Sequence, residues 1–74
     1  MQNINDQIRA YIKHLRIAHN LTQTQLADKI LVHRKTYSNY ETGHTEIPLN
    51  IFIRILTVYG IELQVKEGIN DKRT

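Results

Sequence analysis

The chain has 74 residues, a formal net charge of +3 and no cysteine. A chain of this length forms one small domain with a marginal core, and the lack of cysteine excludes disulfides and thiolate metal sites. No apolar run reaches the ~20 residues of a membrane helix, and the first residues lack the pattern of a secretory signal. We therefore expect a cytoplasmic protein with no membrane partner. The basic excess favours an anionic partner such as nucleic acid.

The first half of the chain predicts three helices. Apolar residues recur at intervals of three and four over residues 4–18, which indicates a first helix that ends at Asn20. A second, shorter helix begins at Thr22, and Gln25 lies at the spacing of a capping box. After a short turn, a third helix is predicted over residues 34–42, where Gly43 follows as a stop signal.

A fourth helix over residues 49–59 follows Pro48 and is apolar on two sides. One stripe consists of Leu49, Phe52, Ile53, Leu56 and Tyr59. A second, offset stripe consists of Ile51, Ile55 and Val58. Because three other short helices cannot bury the fourth helix completely, we expect its second stripe to contact another chain. Deep burial within the same chain is the alternative.

Residues 61–66 alternate between apolar and polar side chains, which predicts a half-buried β-strand. No other segment offers a strand to pair with it, and an unpaired strand leaves backbone groups unsatisfied. We therefore expect antiparallel pairing with the same strand of a second copy. The expected homodimer interface contains Ile51, Ile55, Val58, Ile61, Leu63 and Val65. A flexible extended tail is the alternative. The domain would cover residues 1–67, with a flexible tail at residues 68–74.

Two short helices joined by a tight turn, the second of them basic, are typical of a helix-turn-helix. The second helix of such a pair places its first residues at base edges in the major groove. Arginine and lysine bind the guanine acceptors, and asparagine can pair with adenine. No acidic residue occurs in residues 29–38, so the potential there is positive. A merely solvated surface is the alternative explanation for these cations. The candidates are His33, Arg34, Lys35, Thr36, Ser38 and Asn39.

From about residue 12 to residue 63 the sequence resembles the Cro- and lambda-repressor-like helix-turn-helix proteins, also called the Xre family. The resemblance is carried by Leu15 and Arg16, by LTQTQLA at residues 21–27, by Val32 and by TYSNYETG at residues 36–43. Pro48 and residues 56–61 follow at the family's spacing. The resemblance implies an all-α fold, a compact four-helix lambda-repressor-like domain to which the short C-terminal β-strand would be added.

The resemblance also implies roles for individual residues. Gln23 would contact a phosphate at the start of the second helix, and Lys29 and residues 43–45 would be further backbone contacts. Arg34, Lys35 and Asn39 match positions that read bases, while Thr36 and Ser38 would contact phosphate or support the readers. Glu41 would form a buried structural ion pair with Arg16.

Leu31 departs from the family pattern, because the family usually has glycine at this turn position. A leucine at positive φ costs about 1 kcal/mol or more. Either the turn is remodelled or the strain is tolerated. The tilt of the third helix, which is the recognition helix of the pair, depends on which of these two outcomes holds.

The end of the sequence is similar to the HipB-like antitoxins at residues 59–65. That resemblance implies an autorepressor of a toxin–antitoxin operon that binds a cognate toxin, such as a HipA-like kinase, as well as double-stranded DNA. A homodimer would place two recognition helices about 34 Å apart on a near-palindromic operator. A phage- or plasmid-type repressor without a toxin, and a protein-interaction module, are the alternatives.

An enzyme is the remaining class to consider. The four histidines have no metal-ligand spacing, and Ser38, the only serine, lies outside any nucleophile elbow. We therefore expect no catalytic residue, no metal and no cofactor.

Overall fold

The computed structural model describes residues 3–62, which form four α-helices. Their bounds are α1 at Ile4–Ala18, α2 at Gln23–Ile30, α3 at Arg34–Thr42 and α4 at Leu49–Val58. The prediction of four helices is confirmed; Thr22 is the N-cap of α2 rather than its first helical residue, and α4 ends one residue earlier than expected. None of these helices has the length and apolar character that crossing a membrane requires.

Local side-chain caps explain where the first two helices begin. The Asn3 side chain accepts a hydrogen bond from the amide of Asp6 at 2.9 Å, which satisfies a free donor of α1. Thr22 and Gln25 form the predicted capping box: each side chain accepts from the other's amide, at 3.0 and 2.8 Å. The start of α3 at His33 has no such side-chain cap.

Three of the four helices end in the same backbone motif. Asn20, Leu31 and Gly60 follow α1, α2 and α4, and all have positive φ. The amide of the residue after each donates to the carbonyl five positions earlier, with N···O distances of 3.0 Å. This is the Schellman motif, which satisfies carbonyls that a helix end would leave free. The turn between α2 and α3 therefore keeps its left-handed residue, although that residue is a leucine.

One buried cluster draws side chains from all four helices. Tyr37 and Tyr40 point into it from α3, and Val32 packs against it from the turn. The full cluster contains Ile12, Leu26, Ala27, Ile30, Tyr37, Tyr40, Ile51 and Ile55.

The burial of α4 corrects the predicted dimer interface. Ile51 is only 7% exposed and Ile55 is fully buried, so both belong to the chain's own core and present no face to a second chain. Val58 is half-buried and packs against the same core. The alternative of deep burial is right for this stripe, because α4 turns it toward α2. The exposed apolar side chains of α4 are instead Leu49 and Ile53.

The predicted strand lies mostly beyond the described region. Ile61 is half-buried, and residues 61 and 62 have no regular secondary structure. Leu63 and Val65, and with them the expected pairing between two copies, fall outside the described residues. Residues 3–62 contain no strand.

Leu31 combines a strained backbone with an exposed side chain. Its φ is 63°, and its side chain makes few packing contacts, since the residue is 82% exposed. The carbonyl of Ile30 beside it accepts a hydrogen bond from Nη1 of Arg54 at 2.8 Å. The turn is thus held by the backbone motif and by α4, while the leucine itself contributes strain.

We expect Leu31→Gly to stabilise the domain by about 1 kcal/mol, because glycine adopts positive φ without the steric cost that a Cβ brings. Urea denaturation followed by circular dichroism would measure the difference. Leu31→Ala is the matched control, since it removes the exposed side chain but keeps the Cβ. If Leu31→Ala stabilised the protein as much as Leu31→Gly, backbone strain would not be the cause.

Candidate nucleic-acid interface

The α2–α3 pair forms a helix-turn-helix whose inner faces share the core. α2 has eight residues and α3 has nine, too few to be stable alone, so packing must hold them. Leu26 and Ile30 of α2 lie in the buried cluster together with Tyr37 and Tyr40 of α3. Because the two tyrosines are three positions apart, they turn one side of α3 inward and leave the other side open.

The open side of α3 carries most of the predicted contact residues. His33, Arg34 and Lys35 are exposed, in the turn and at the start of the helix. Thr36, Ser38 and Asn39 are half-buried. A positively charged helix entrance next to uncapped first-turn amides is suited to an anionic ligand.

Thr42 belongs to the same open face, although the sequence analysis did not include it. It lies four residues after Ser38 and seven after Lys35, so the three share one side of the helix. Thr42 is exposed, and its hydroxyl donates to the carbonyl of Asn39 at 3.3 Å. The i, i+3, i+7 spacing of Lys35, Ser38 and Thr42 was the signal that could have identified it.

The predicted phosphate contacts lie at the edges of this face. Lys29 is exposed in the last turn of α2, and all three residues of the loop at 43–45 are exposed after α3. Gly43 has a φ of 86°, and a Cβ there would come within 3.1 Å of the Arg9 side chain, so this position favours glycine on two counts.

Glu41 is the centre of a polar cluster that joins α1, α2 and α3. Arg16 donates to its two oxygens, from Nε to Oε2 at 2.7 Å and from Nη2 to Oε1 at 3.2 Å. Gln23 donates from Nε2 to Oε1 at 3.0 Å, and the Tyr37 hydroxyl donates to Oε2. Each carboxylate oxygen thus accepts two hydrogen bonds, which satisfies a carboxylate whose side chain is only 4% exposed.

The structure brings Arg16 and Glu41 together and adds two partners that sequence reasoning missed. Tyr37 and Gln23 reach the carboxylate from the recognition helix and from the start of α2. Arg16 also donates from Nη1 to the carbonyl of Leu21 at 2.8 Å, which ties down the α1–α2 connection. Gln23 therefore uses its carboxamide nitrogen as a donor inside the domain.

The pKa values in this cluster follow from burial and hydrogen bonding. Burial alone would raise the pKa of Glu41, but the hydrogen bonds from Arg16, Tyr37 and Gln23 outweigh it and lower that pKa below its usual value. The hydrogen bond to Glu41 raises the pKa of Arg16. Burial, followed by the hydrogen bond to the carboxylate, raises the pKa of the Tyr37 hydroxyl. Glu41 is therefore ionised and Tyr37 neutral near pH 7.

Residues 3–62 hold no group of three or more histidine, aspartate or glutamate side chains placed to bind a metal ion. The chemistry on the open face is that of cations, hydroxyls and one carboxamide on a short helix.

The fold and this face together define a helix-turn-helix domain, and comparison with known proteins identifies the family. The sequence model of the helix-turn-helix family matches residues 12–66, and the chain belongs to this family, in its Xre-like branch.

Two known proteins are similar to this chain over most of its length. The chain is 32% identical over 60 residues to the uncharacterized HTH-type transcriptional regulator YobD of Bacillus subtilis, a match that covers 81% of this chain and 54% of YobD. It is 34% identical over 53 residues to the uncharacterized HTH-type transcriptional regulator MJ0272 of Methanocaldococcus jannaschii, covering 72% of this chain and 80% of that protein. The chain thus spans about half the length of YobD. No solved structure matches it.

We expect the stabilising effect of Glu41 to disappear in acid. An unfolded glutamate titrates near pH 4.3, whereas the folded carboxyl titrates lower, so the stabilisation is complete above that pH and is lost as pH falls toward the folded pKa. Glu41→Gln should therefore be less stable than the parent protein at pH 7, and the gap should narrow between pH 5 and pH 3.

Urea denaturation of both proteins at pH 7, 5 and 3 would measure this gap in the free energy of unfolding. Glu46→Gln is the matched control, because Glu46 is exposed and its carboxylate accepts one hydrogen bond, from Asn5. A Glu41→Gln gap that stayed constant across the three pH values would contradict the assignment.

Proposed function

We propose that this chain is a sequence-specific DNA-binding transcriptional regulator that represses its own gene. The observation that carries the proposal is the pair of exposed cations, Arg34 and Lys35, at the start of a helix whose opposite side is locked into the core by Tyr37 and Tyr40. Membership of the helix-turn-helix family supports it, as do two relatives that are named transcriptional regulators.

In this proposal α3 enters the major groove with its open face toward the base edges. Arg34 and Lys35 bind guanine acceptors, and Asn39 pairs with adenine. Lys29 and the carboxamide of Gln23 contact phosphates, which set the register but carry no sequence information. His33, Thr36 and Ser38 support these contacts from the same end of the helix, and Thr42 extends the face toward its C-terminus.

The cluster around Glu41 prepares the domain for this contact. It links α1, α2 and α3 before DNA arrives, so little conformational freedom is lost on binding. The bond from Gln23 to Glu41 orients the carboxamide at the start of α2. A phosphate contact through this side chain would therefore act on a residue that the fold already holds in place.

The protein acts as a homodimer on a near-palindromic operator, with its recognition helices about 34 Å apart in successive major grooves. Antiparallel pairing of residues 61–66 between two copies would join the protomers, in a domain that covers residues 1–67. The resemblance of residues 59–65 to HipB-like antitoxins supports a finer role, as the antitoxin of an operon that also encodes a toxin such as a HipA-like kinase.

The test is binding to the DNA immediately upstream of the protein's own gene, compared with a scrambled duplex at ~150 mM salt. We expect a preference of about 10³-fold or more, since specific sites exceed non-specific ones by at least that factor. Arg34→Ala combined with Lys35→Ala should abolish the preference without changing the circular dichroism spectrum. Lys13→Ala, which removes an exposed cation from α1, should keep it.

Equal and salt-sensitive binding to both duplexes would contradict a sequence-specific regulator. It would leave only a general attraction between cations and phosphates, and a protein-interaction module would then be the better description.

A further inference from the structure

The side chain of Arg9, on α1, lies against the loop that follows the recognition helix. A Cβ built on Gly43 would come within 3.1 Å of Cζ and Nε of Arg9, and within 3.5 Å of its Nη1. The guanidinium therefore occupies the space in which any other residue at position 43 would carry its side chain. Because glycine has no Cβ, a planar cation from α1 can lie next to the backbone at the end of α3.

Two hydrogen bonds attach the same loop to α1 and to α3. Nδ2 of Asn5, one helical turn before Arg9, donates to Oε2 of Glu46 at 3.0 Å. The amide of Thr45 donates to the carbonyl of Asn39 in α3 at 3.2 Å. α1 thus contacts the loop at both of its ends, and the loop is held in a defined position beside the recognition helix.

The loop has no lysine or arginine of its own. Residues 43–45 are expected to lie along the DNA backbone, but they are Gly43, His44 and Thr45, and the next residue is Glu46. Proteins bind phosphates mainly through cations, hydroxyls and backbone amides. Arg9 therefore brings to the loop, from a different helix, the permanent positive charge that the loop sequence lacks.

An ion pair with Asp6 orients the Arg9 side chain. Asp6 lies one helical turn earlier on α1, and its carboxylate binds Nη2 of Arg9. A guanidinium carries five N–H donors in a fixed plane, so it can hold a carboxylate and a phosphate oxygen at the same time. The Arg9 side chain is 24% exposed, and an ion pair this close to solvent is weak. Asp6 therefore orients the guanidinium without closing it to a ligand.

We propose that Arg9 binds a phosphate of the DNA backbone beside the loop at residues 43–45. The proposal rests on the proposed function, in which α3 enters the major groove, and it adds to that site a residue from outside the helix-turn-helix. Gly43 allows the guanidinium and the loop backbone to approach the same phosphate. Because α1 holds both of them in place before DNA arrives, little conformational freedom is lost on binding.

The salt dependence of DNA affinity tests the proposal, because every phosphate that a protein neutralises releases counterions. The slope of the logarithm of affinity against the logarithm of salt concentration changes by about 0.9 for each such phosphate. Arg9→Gln keeps a polar side chain over Gly43 but removes its charge. We expect the slope of this variant to be shallower than that of the parent protein by about 1, and its affinity at ~150 mM salt to be about fivefold lower.

Two further variants distinguish a phosphate contact from a structural role. Arg9→Lys keeps the positive charge and should retain the parent slope. Lys13→Gln removes an exposed cation one helical turn further along α1 and should also retain it. If Arg9 served only to pack on Gly43, Arg9→Gln would be less stable in urea but would keep the parent slope, which would overturn the proposal. An equal change of slope in Lys13→Gln would indicate a general attraction between cations and DNA and would also overturn it.

Measuring the slope on both the upstream and the scrambled duplex separates this inference from the proposed function, since a phosphate contact does not depend on sequence. A preference for the upstream duplex with an unchanged slope in Arg9→Gln would overturn the role of Arg9 and leave the proposed function standing. Equal affinity for the two duplexes with a shallower slope in Arg9→Gln would support the contact and contradict a sequence-specific regulator. A parent protein that bound neither duplex would overturn both.

Discussion

The arrangement of this domain depends on a single carboxylate with four hydrogen bonds. Glu41 receives donors from α1, α2 and its own helix, and the two bonds from Arg16 also neutralise its charge. A buried carboxylate with this many partners is satisfied, whereas the loss of the arginine would leave it desolvated at a cost of about 3–5 kcal/mol. In a chain of 74 residues the apolar core is small, so the geometry of α3 relies on this polar cluster as well as on packing. Tyr37 connects the apolar core with the polar cluster, because its ring lies in the core and its hydroxyl donates to Glu41.

The nine residues of the recognition helix α3 fall into two groups: those that attach it to the domain and those that face outward. Tyr37, Tyr40 and Glu41 attach it to the rest of the domain, and they occupy one side at intervals of three and four. Lys35 and Thr42 lie on the opposite side and are exposed. Because the attachment uses large rings and an ion pair, the outward side chains can change without disturbing the fold. This separation allows a helix-turn-helix domain to acquire a new operator through substitutions on one face.

Local features were predictable from the sequence because a few neighbouring residues determine them. The capping box of Thr22 and the left-handed end at Asn20 are of this kind, as are the helix bounds that follow from them. The resemblance to a known family supplied the pairing of Arg16 with Glu41. The orientation of α4 was not predictable, because both of its stripes satisfy helical periodicity, and only tertiary packing decides that Ile55 is buried. The contact between Gln23 and Glu41 joins residues 18 positions apart, and periodicity contains no information about it.

α4 is coupled mechanically to the recognition helix through α2. Arg54 binds the last carbonyl of α2 at Ile30, so α4 is attached directly to the turn that precedes α3. α2 is joined to α3 by the core and, through Gln23, by the carboxylate of Glu41. Each step is a direct contact between helices of eight to ten residues, which leaves little room for independent motion. Any contact made by α4 would therefore reach α3 through direct side-chain contacts and not through a flexible linker.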